Sequence, residues 1–260
     1  MNAINLQMMK KQINWLLTAV MFYTRIPVPR SLEFSHENLN RATRYFPLIG
    51  WIVGGSGAAA FYGLTFVLPM ELAVFLSMVF TILLTGAFHE DGFADFCDGF
   101  GGGYTPEKIL SIMKDSRIGT YGTIGLIAML GTKFLTLQAM PAAMIPLMLF
   151  SGHAFSRLMP VLIIFTGKYS RNDEQSKTKP LGKKGRHSDL IIASVTALLP
   201  MALLPWQLTA LVVPSALVLT VLFKRYTERK IGGYTGDCLG ALQQMTEVLF
   251  YLCLLIIARL

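Results

Sequence analysis

The sequence predicts an all-α fold: a polytopic integral membrane helical bundle of about seven transmembrane helices plus an N-terminal interfacial helix. Composition is the first reason. Of 260 residues, 53% are hydrophobic and only 15% are charged, against roughly 25% charged in soluble domains, and mean hydropathy is +0.52. The second reason is that apolar stretches of the ~20 residues needed to cross a bilayer recur along the chain. The third is that basic residues sit in alternate connections, as retention of Lys and Arg on the cytoplasmic side requires. High hydrophobicity excludes a disordered chain. A total of three cysteines excludes a disulfide-built secreted domain. A single membrane-embedded domain over residues 1–260 is expected.

Taken in order, residues 1–12 are polar and carry Lys10 and Lys11. No small-residue cleavage site follows the short apolar run 15–22, so no removable signal peptide is expected. Residues 13–26 are too few to cross and are followed by Pro27 and Pro29, which suits a helix lying along the interface. Spans are then expected at 48–68, 70–88, 120–139, 142–165, 190–205, 207–223 and 242–258. The fifth and sixth are short and contain Pro200, Pro205 and Pro214, so a buried helical hairpin is their alternative.

Segments 1–47, 89–119, 166–188 and 224–237 hold six, three, seven and four Lys or Arg. The short connections near Pro69, Pro141 and Pro205 hold none. The N-terminus and the charged connections are therefore expected on the cytoplasmic face of the inner membrane. The formal net charge of +8 suits the lipid bilayer's anionic headgroups or phosphorylated substrates, with no nucleic acid as partner.

The most informative stretch is 89–99, which holds His89, Glu90, Asp91, Asp95 and Asp98. Asp91, Asp95 and Asp98 are spaced i, i+4, i+7, placing three carboxylates on one helical face. Three close like charges repel, so a hard divalent cation is their natural partner, and Mg²⁺ is bound through carboxylates together with substrate phosphates. A solvated acidic loop is the plain alternative. A cation-coupled transporter is the rival functional reading, but such a site usually interrupts a span near its centre.

A second glycine-and-acid cluster leads into the last span: Gly233, Gly236 and Asp237, then Gln243, Gln244 and Glu247. A glycine-rich helix start can offer free N–H groups to phosphate, although Gly-Gly before a helix is commonly only a turn. Between the clusters, Lys114 and Arg117 could neutralise phosphate oxygens, and Asp115 could hold metal or orient an Arg. An interfacial charge cluster is equally compatible with the composition. Arg157, inside the fourth span, must face a cavity or pair, and His153 one turn before it can hydrogen-bond within the bundle. Cys97 and Cys238 lack Cys-x-x-Cys spacing and suit packing rather than metal ligation.

The pattern His-Glu-Asp-Gly-Phe-Ala-Asp-x-x-Asp-Gly at 89–99 resembles the acidic signature of the cobalamin synthase family, the adenosylcobinamide-GDP ribazoletransferases. Residues 22–29, 44–50, 113–122 and 232–241 are similar to its other motifs, in order and at matching spacing from about Thr18 to the last span. Tyr169, Ser170 and Arg171 are similar to the family's Tyr-Ala-Arg, whereas 177–186 is an unusually basic version of the same loop. A CDP-alcohol phosphotransferase would need the longer Asp-Gly-x-x-Ala-Arg pattern, which 91–95 does not match.

The resemblance implies that α-ribazole or its 5′-phosphate displaces GMP from adenosylcobinamide-GDP, with Mg²⁺ as cofactor. The shared membrane face of the two acidic segments leads to the expectation that Asp91, Asp95 and Asp98 bind the metal with Asp237 completing the site from the other half, and Glu90, about 100° around the helix from Asp91, is a further member. The catalytic proton acceptor would be one of the carboxylates, Asp91 or Asp95 among them, or His89. Lys114 and Arg117, helped by Asp115, are the first candidates for the diphosphate, followed by Arg157, Arg25 and Arg44. Gly233, Gly236, Gln244 and Glu247 would line the substrate. The spans would enclose the corrinoid, and a second copy of the chain and other corrinoid-assembly enzymes are further expected partners.

Overall fold

The computed structural model describes residues 3–170 and 186–259. Arg171 and most of the basic loop 177–186 lie outside the described residues. Among those described every regular element is helical, and the extended contact is an isolated parallel bridge between Tyr169 and Tyr234.

Helix α1, Ala3–Tyr23, starts earlier than the interfacial segment expected at 13–26 and ends before Pro27, whose ring cannot donate to a helical ladder. Helix α2, His36–Ala42, is started by Ser35, whose side chain accepts the Asn38 N–H at 3.0 Å. A 3-10 turn joins it to α3, Phe46–Leu64. Helix α4, Met70–Thr85, meets α5, Phe88–Gly102, at an 88° bend. Helices α6, Pro106–Ile112, and α7, Thr120–Gln138, follow. Then come α8, Ile145–Ser156, and α9, Leu158–Thr166, separated at Arg157. Helix α10, His187–Leu198, continues into a 3-10 turn. Helices α11, Trp206–Ile231, and α12, Gly236–Arg259, complete the chain.

Four stretches among the described residues are long and apolar enough to cross a membrane: His36–Leu64, Ala142–Thr166, Trp206–Ile231 and Gly236–Arg259. The bent pair α4 and α5 makes a fifth if it counts as one span. The expected count of seven is therefore not reproduced. The span expected at 70–88 stops at Thr85, so the acids ride on a separate helix. The one expected at 190–205 is a 12-residue helix continued by a five-residue 3-10 turn, shorter than these four stretches. The one expected at 120–139 is α7, interrupted in its apolar run by Lys133. The stretch at 207–223 grows into the 26-residue α11 despite Pro214, long enough to cross without forming a hairpin.

Large apolar side chains face outward on α7 and α11, including Ile124, Ile127, Leu135, Val218 and Leu222, while Lys133, His153, Arg157 and Glu247 are buried. An apolar exterior over a polar interior is the arrangement a bilayer demands. Small residues let the helices approach. On α3, Gly50 and Gly54 sit so near α8 that an added Cβ would collide with the carbonyl oxygens of His153 and Leu149, the close packing that a small-xxx-small pair allows.

Candidate active site

The acid helix owes its direction to Gly86 and Ala87, both left-handed with φ of 66° and 56°. Ala87 is the single non-glycine residue with positive φ among those described, a conformation costing about 1–2 kcal/mol for an L-residue. Arg25 braces the bend: its N–H donates to Leu84 O at 2.7 Å, and its guanidinium lies against Gly86. Asp91, Asp95 and Asp98 follow one face of α5, grading from exposed through half-buried to buried. His89 and Glu90 turn elsewhere.

Asp98 has a defined role. Its Oδ2 accepts the Gly119 N–H at 2.7 Å and its Oδ1 the Gly122 N–H at 2.8 Å. These are orphan donors at the start of α7, where a carboxylate also meets the positive end of the helix dipole. The carboxylate fills the space a Cβ would need at either glycine. Asp98 thus ties the 113–119 segment to α5, and each of its two oxygens is engaged in this capping.

On that segment Lys114 is exposed, and Arg117 grips Asp115 through contacts of 2.7–3.2 Å. The Arg117 side chain remains 87% exposed. Its guanidinium and backbone N–H hold the Asp115 carboxyl below the ordinary range. Asp115 therefore orients Arg117.

At the other segment, Gly232 ends α11 in the left-handed region and the backbone pairs with the chain after α9. Ser170 N–H donates to Tyr234 O and Tyr234 N–H to Lys168 O, both at 2.9 Å. A Cβ on Gly233 would collide with Lys168 O, so this backbone crossing, not substrate, explains that glycine. Burial raises the Tyr234 phenol above its ordinary pKa. Gly236 opens α12, and Asp237 in its first turn accepts the Thr235 hydroxyl at 3.3 Å. A Cβ on Gly92 would stand 3.1 Å from the Asp237 Cα. The stretch of α5 bearing Asp91 and Asp95 thus abuts the second acidic segment.

Several expected site residues lie elsewhere. Arg44, 5% exposed, pairs with Asp189 and stacks over Trp15 at 4.6 Å. Arg41 joins the same carboxylate at 3.0 Å, so Arg44 fastens α10 to the N-terminal helices and leaves the diphosphate set. Arg157, 1% exposed, donates to His153 O at 2.8 Å and lies over Phe46 at 5.6 Å. Its burial likewise removes it from phosphate contact. His89 is 2% exposed and stacks beside Tyr23 and Phe46, walled off from an incoming hydroxyl.

Glu90, Gln244 and Glu247 belong to a polar core within the bundle. Glu247 receives Lys133 at 2.9 Å, Gln243 at 2.8 Å and Tyr251 at 3.2 Å, with His153 at 3.5 Å. Gln244 donates to Glu90 at 2.9 Å and accepts from Lys133. Sequence reasoning left Lys133, Gln243, Tyr251 and Asp189 without these roles. A lone cation in one span and a lone carboxylate in another was the signal available, since each needs a partner in a low-dielectric interior. Two cavities that touch α5 are about 20 Å³ each, room for roughly one water. The enclosure expected for the corrinoid is at neither place.

Asp91, Asp95 and Asp237 are the carboxylates carried by α5 and α12 where these two helices abut. No group of three or more His, Cys, Asp or Glu among the described residues is close enough to form a preformed metal cage. Carboxylates are the donors that Mg²⁺ takes, one or two at a time, together with substrate phosphates.

Comparison with known proteins places these features in context. The cobalamin-5-phosphate synthase family matches residues 15–255. A Vibrio cholerae adenosylcobinamide-GDP ribazoletransferase is 42% identical over 249 residues, covering 95% of each chain. One from Ralstonia pickettii is 46% identical over 237 residues, 90% of this chain and 92% of the relative. One from Leptospira interrogans is 40% identical over 254 residues, 94% and 96% of the two chains. No solved structure matches significantly.

Proposed function

Because the chain belongs to the cobalamin-5-phosphate synthase family, we propose that it joins adenosylcobinamide-GDP to α-ribazole or α-ribazole 5′-phosphate. The products are adenosylcobalamin or its 5′-phosphate, and GMP. The names of its relatives support the reaction, and the single structural observation that carries the site is the contact of Gly92 with Asp237, which joins the two acidic segments.

In this reading the ribazole hydroxyl oxygen bonds to the phosphorus that carries the cobinamide. The bond from that phosphorus to GMP breaks, and GMP departs. A Mg²⁺ ion held by Asp91, Asp95 and Asp237 would supply charge neutralisation at the diphosphate. With His89 enclosed by aromatic rings, the hydroxyl proton passes to a carboxylate of the Asp91 and Asp95 pair. The acid stripe is flanked by cations: Arg25 at the bend that starts α5, and Lys114 with Arg117 on the segment that Asp98 anchors. These steady the diphosphate and the leaving nucleotide. Positive-inside counting supports a site on the cytoplasmic face of the inner membrane.

Purified protein in lipid nanodiscs, given both substrates, should yield GMP and a coupled corrinoid detectable by mass. Asp91→Asn and Asp95→Asn should each lower the rate by about a hundredfold or more, the scale of losing a group that stabilises developing charge. Near-normal turnover of either variant at limiting Mg²⁺ would remove its metal role. Corrinoid or cation uptake into proteoliposomes with no GMP formed would favour transport instead.

A further inference from the structure

The polar core has a geometry that bears on the acid helix, and the inference drawn from it rests on the reaction proposed above. Four charged side chains are packed together inside the bundle: Glu90 on α5, Lys133 on α7, Glu247 on α12, and Arg157 between α8 and α9. Two carboxylates and two cations balance, as a desolvated cluster must. His153 and Tyr251 complete the contacts of Glu247.

Lys133 is where three of these helices meet. It reaches Glu247 at 2.9 Å and donates to the Gln244 amide oxygen. That amide's nitrogen in turn donates to Glu90 at 2.9 Å. Both ends of the Gln244 amide are therefore used, and its orientation is dictated by the cation on one side and the carboxylate on the other. The chain of contacts ends on the residue directly preceding Asp91. On a helix, consecutive residues differ by about 100° in direction, so fixing Glu90 against α12 fixes the rotation of α5 and hence where Asp91 faces. The Gly92 to Asp237 contact sets how near the helices lie. Glycine packing alone leaves rotation about the axis free; the Gln244 chain restrains it at the Asp91 end of α5, as the bonds of Asp98 to Gly119 and Gly122 do at the far end.

We propose that Lys133 is a positioning residue: through Gln244 and Glu247 it locks the rotation of α5 and aims Asp91 at the reacting diphosphate, without touching substrate itself. It acts from within the bundle. Its loss should therefore affect the chemical step more than substrate capture.

The test compares wild type, Lys133→Met, Lys133→Arg and the charge-neutral double variant Lys133→Met/Glu247→Gln in nanodiscs. GMP release is measured against adenosylcobinamide-GDP concentration, and deuterium exchange is followed in the peptide covering 88–99. Lys133→Met should lower kcat by roughly ten- to a hundredfold, the cost of an ångström-scale misplacement, with KM changed less than about threefold and faster exchange in α5. Lys133→Arg should recover most of the rate. Should Lys133→Met fail to fold, the double variant, which keeps the net charge of the cluster unchanged, is read in its place and should show the same low kcat and fast exchange.

Unchanged kcat with unchanged exchange in α5 would overturn the proposal, as would a change confined to KM. If wild type itself forms no GMP, the proposed reaction fails. The exchange comparison still decides whether Lys133 holds α5.

Discussion

Gly92 on α5 and Asp237 at the start of α12 touch backbone to backbone, with 3.1 Å between a Cβ built on the glycine and the aspartate Cα. No flexible side chain is available to yield there. Gly92→Val should push the helices apart at a cost of about 1–3 kcal/mol, lowering both the unfolding temperature and the rate of GMP formation. Thermal unfolding in detergent and initial rates on the same preparation check this.

Asp98 and Asp91 share a helical face but should respond to mutation in opposite ways. Asp98→Ala strips the start of α7 of its acceptor and should cost about 1–2 kcal/mol. The Mg²⁺ concentration giving half-maximal activity should stay as in wild type. Asp91→Asn should leave unfolding nearly unchanged while abolishing the Mg²⁺ response. Melting curves and a Mg²⁺ titration of GMP release separate the two.

Two arginines read together from the sequence should likewise part company. Asp189→Asn leaves Arg44 buried with a weakened partner, which should destabilise the protein by up to about 3–5 kcal/mol while sparing KM in the molecules that fold. Arg117→Ala should change stability by less than about 0.5 kcal/mol, as exposed substitutions do. It should raise KM for adenosylcobinamide-GDP about tenfold, the worth of one charge-assisted hydrogen bond. Steady-state kinetics beside unfolding curves discriminate these outcomes.

The Asp115 and Arg117 pair also sets an expectation for pH. Arg117 holds the folded pKa of Asp115 below its ordinary value, so the ionised carboxylate and its contact with Arg117 persist above the ordinary value. They are lost only as pH falls through the lowered one. KM should accordingly show no inflection from this pair between about pH 5 and pH 8, well above the unperturbed Asp value. The profiles of wild type and Asp115→Asn should coincide in shape over that window, and a new inflection unique to wild type would contradict the assignment.

Much of the site was legible beforehand. The i, i+4, i+7 spacing of Asp91, Asp95 and Asp98 needed only helical periodicity to place them on one face, and counting basic residues gave the expectation that the segments near Asp91 and Asp237 share one side of the bilayer. The bend at Gly86 and Ala87 was hidden, because an alanine gives no sign that it will adopt a left-handed backbone. Asp98 looked like a metal ligand for a related reason. A carboxylate near glycines in sequence is indistinguishable from one whose oxygens are taken by the N–H groups of Gly119 and Gly122 more than twenty residues away.

By itself the sequence determined the all-α membrane class, the two acidic segments and the family resemblance, since these follow from local composition, periodicity and the order of motifs. Tertiary structure alone decided which charges are free to meet a substrate. A buried ion is defined by what stands opposite it: Asp189 claims Arg44, Glu247 claims Lys133, and Asp91 stays exposed. Those partners lie far apart along the chain and are brought together only when the helices pack.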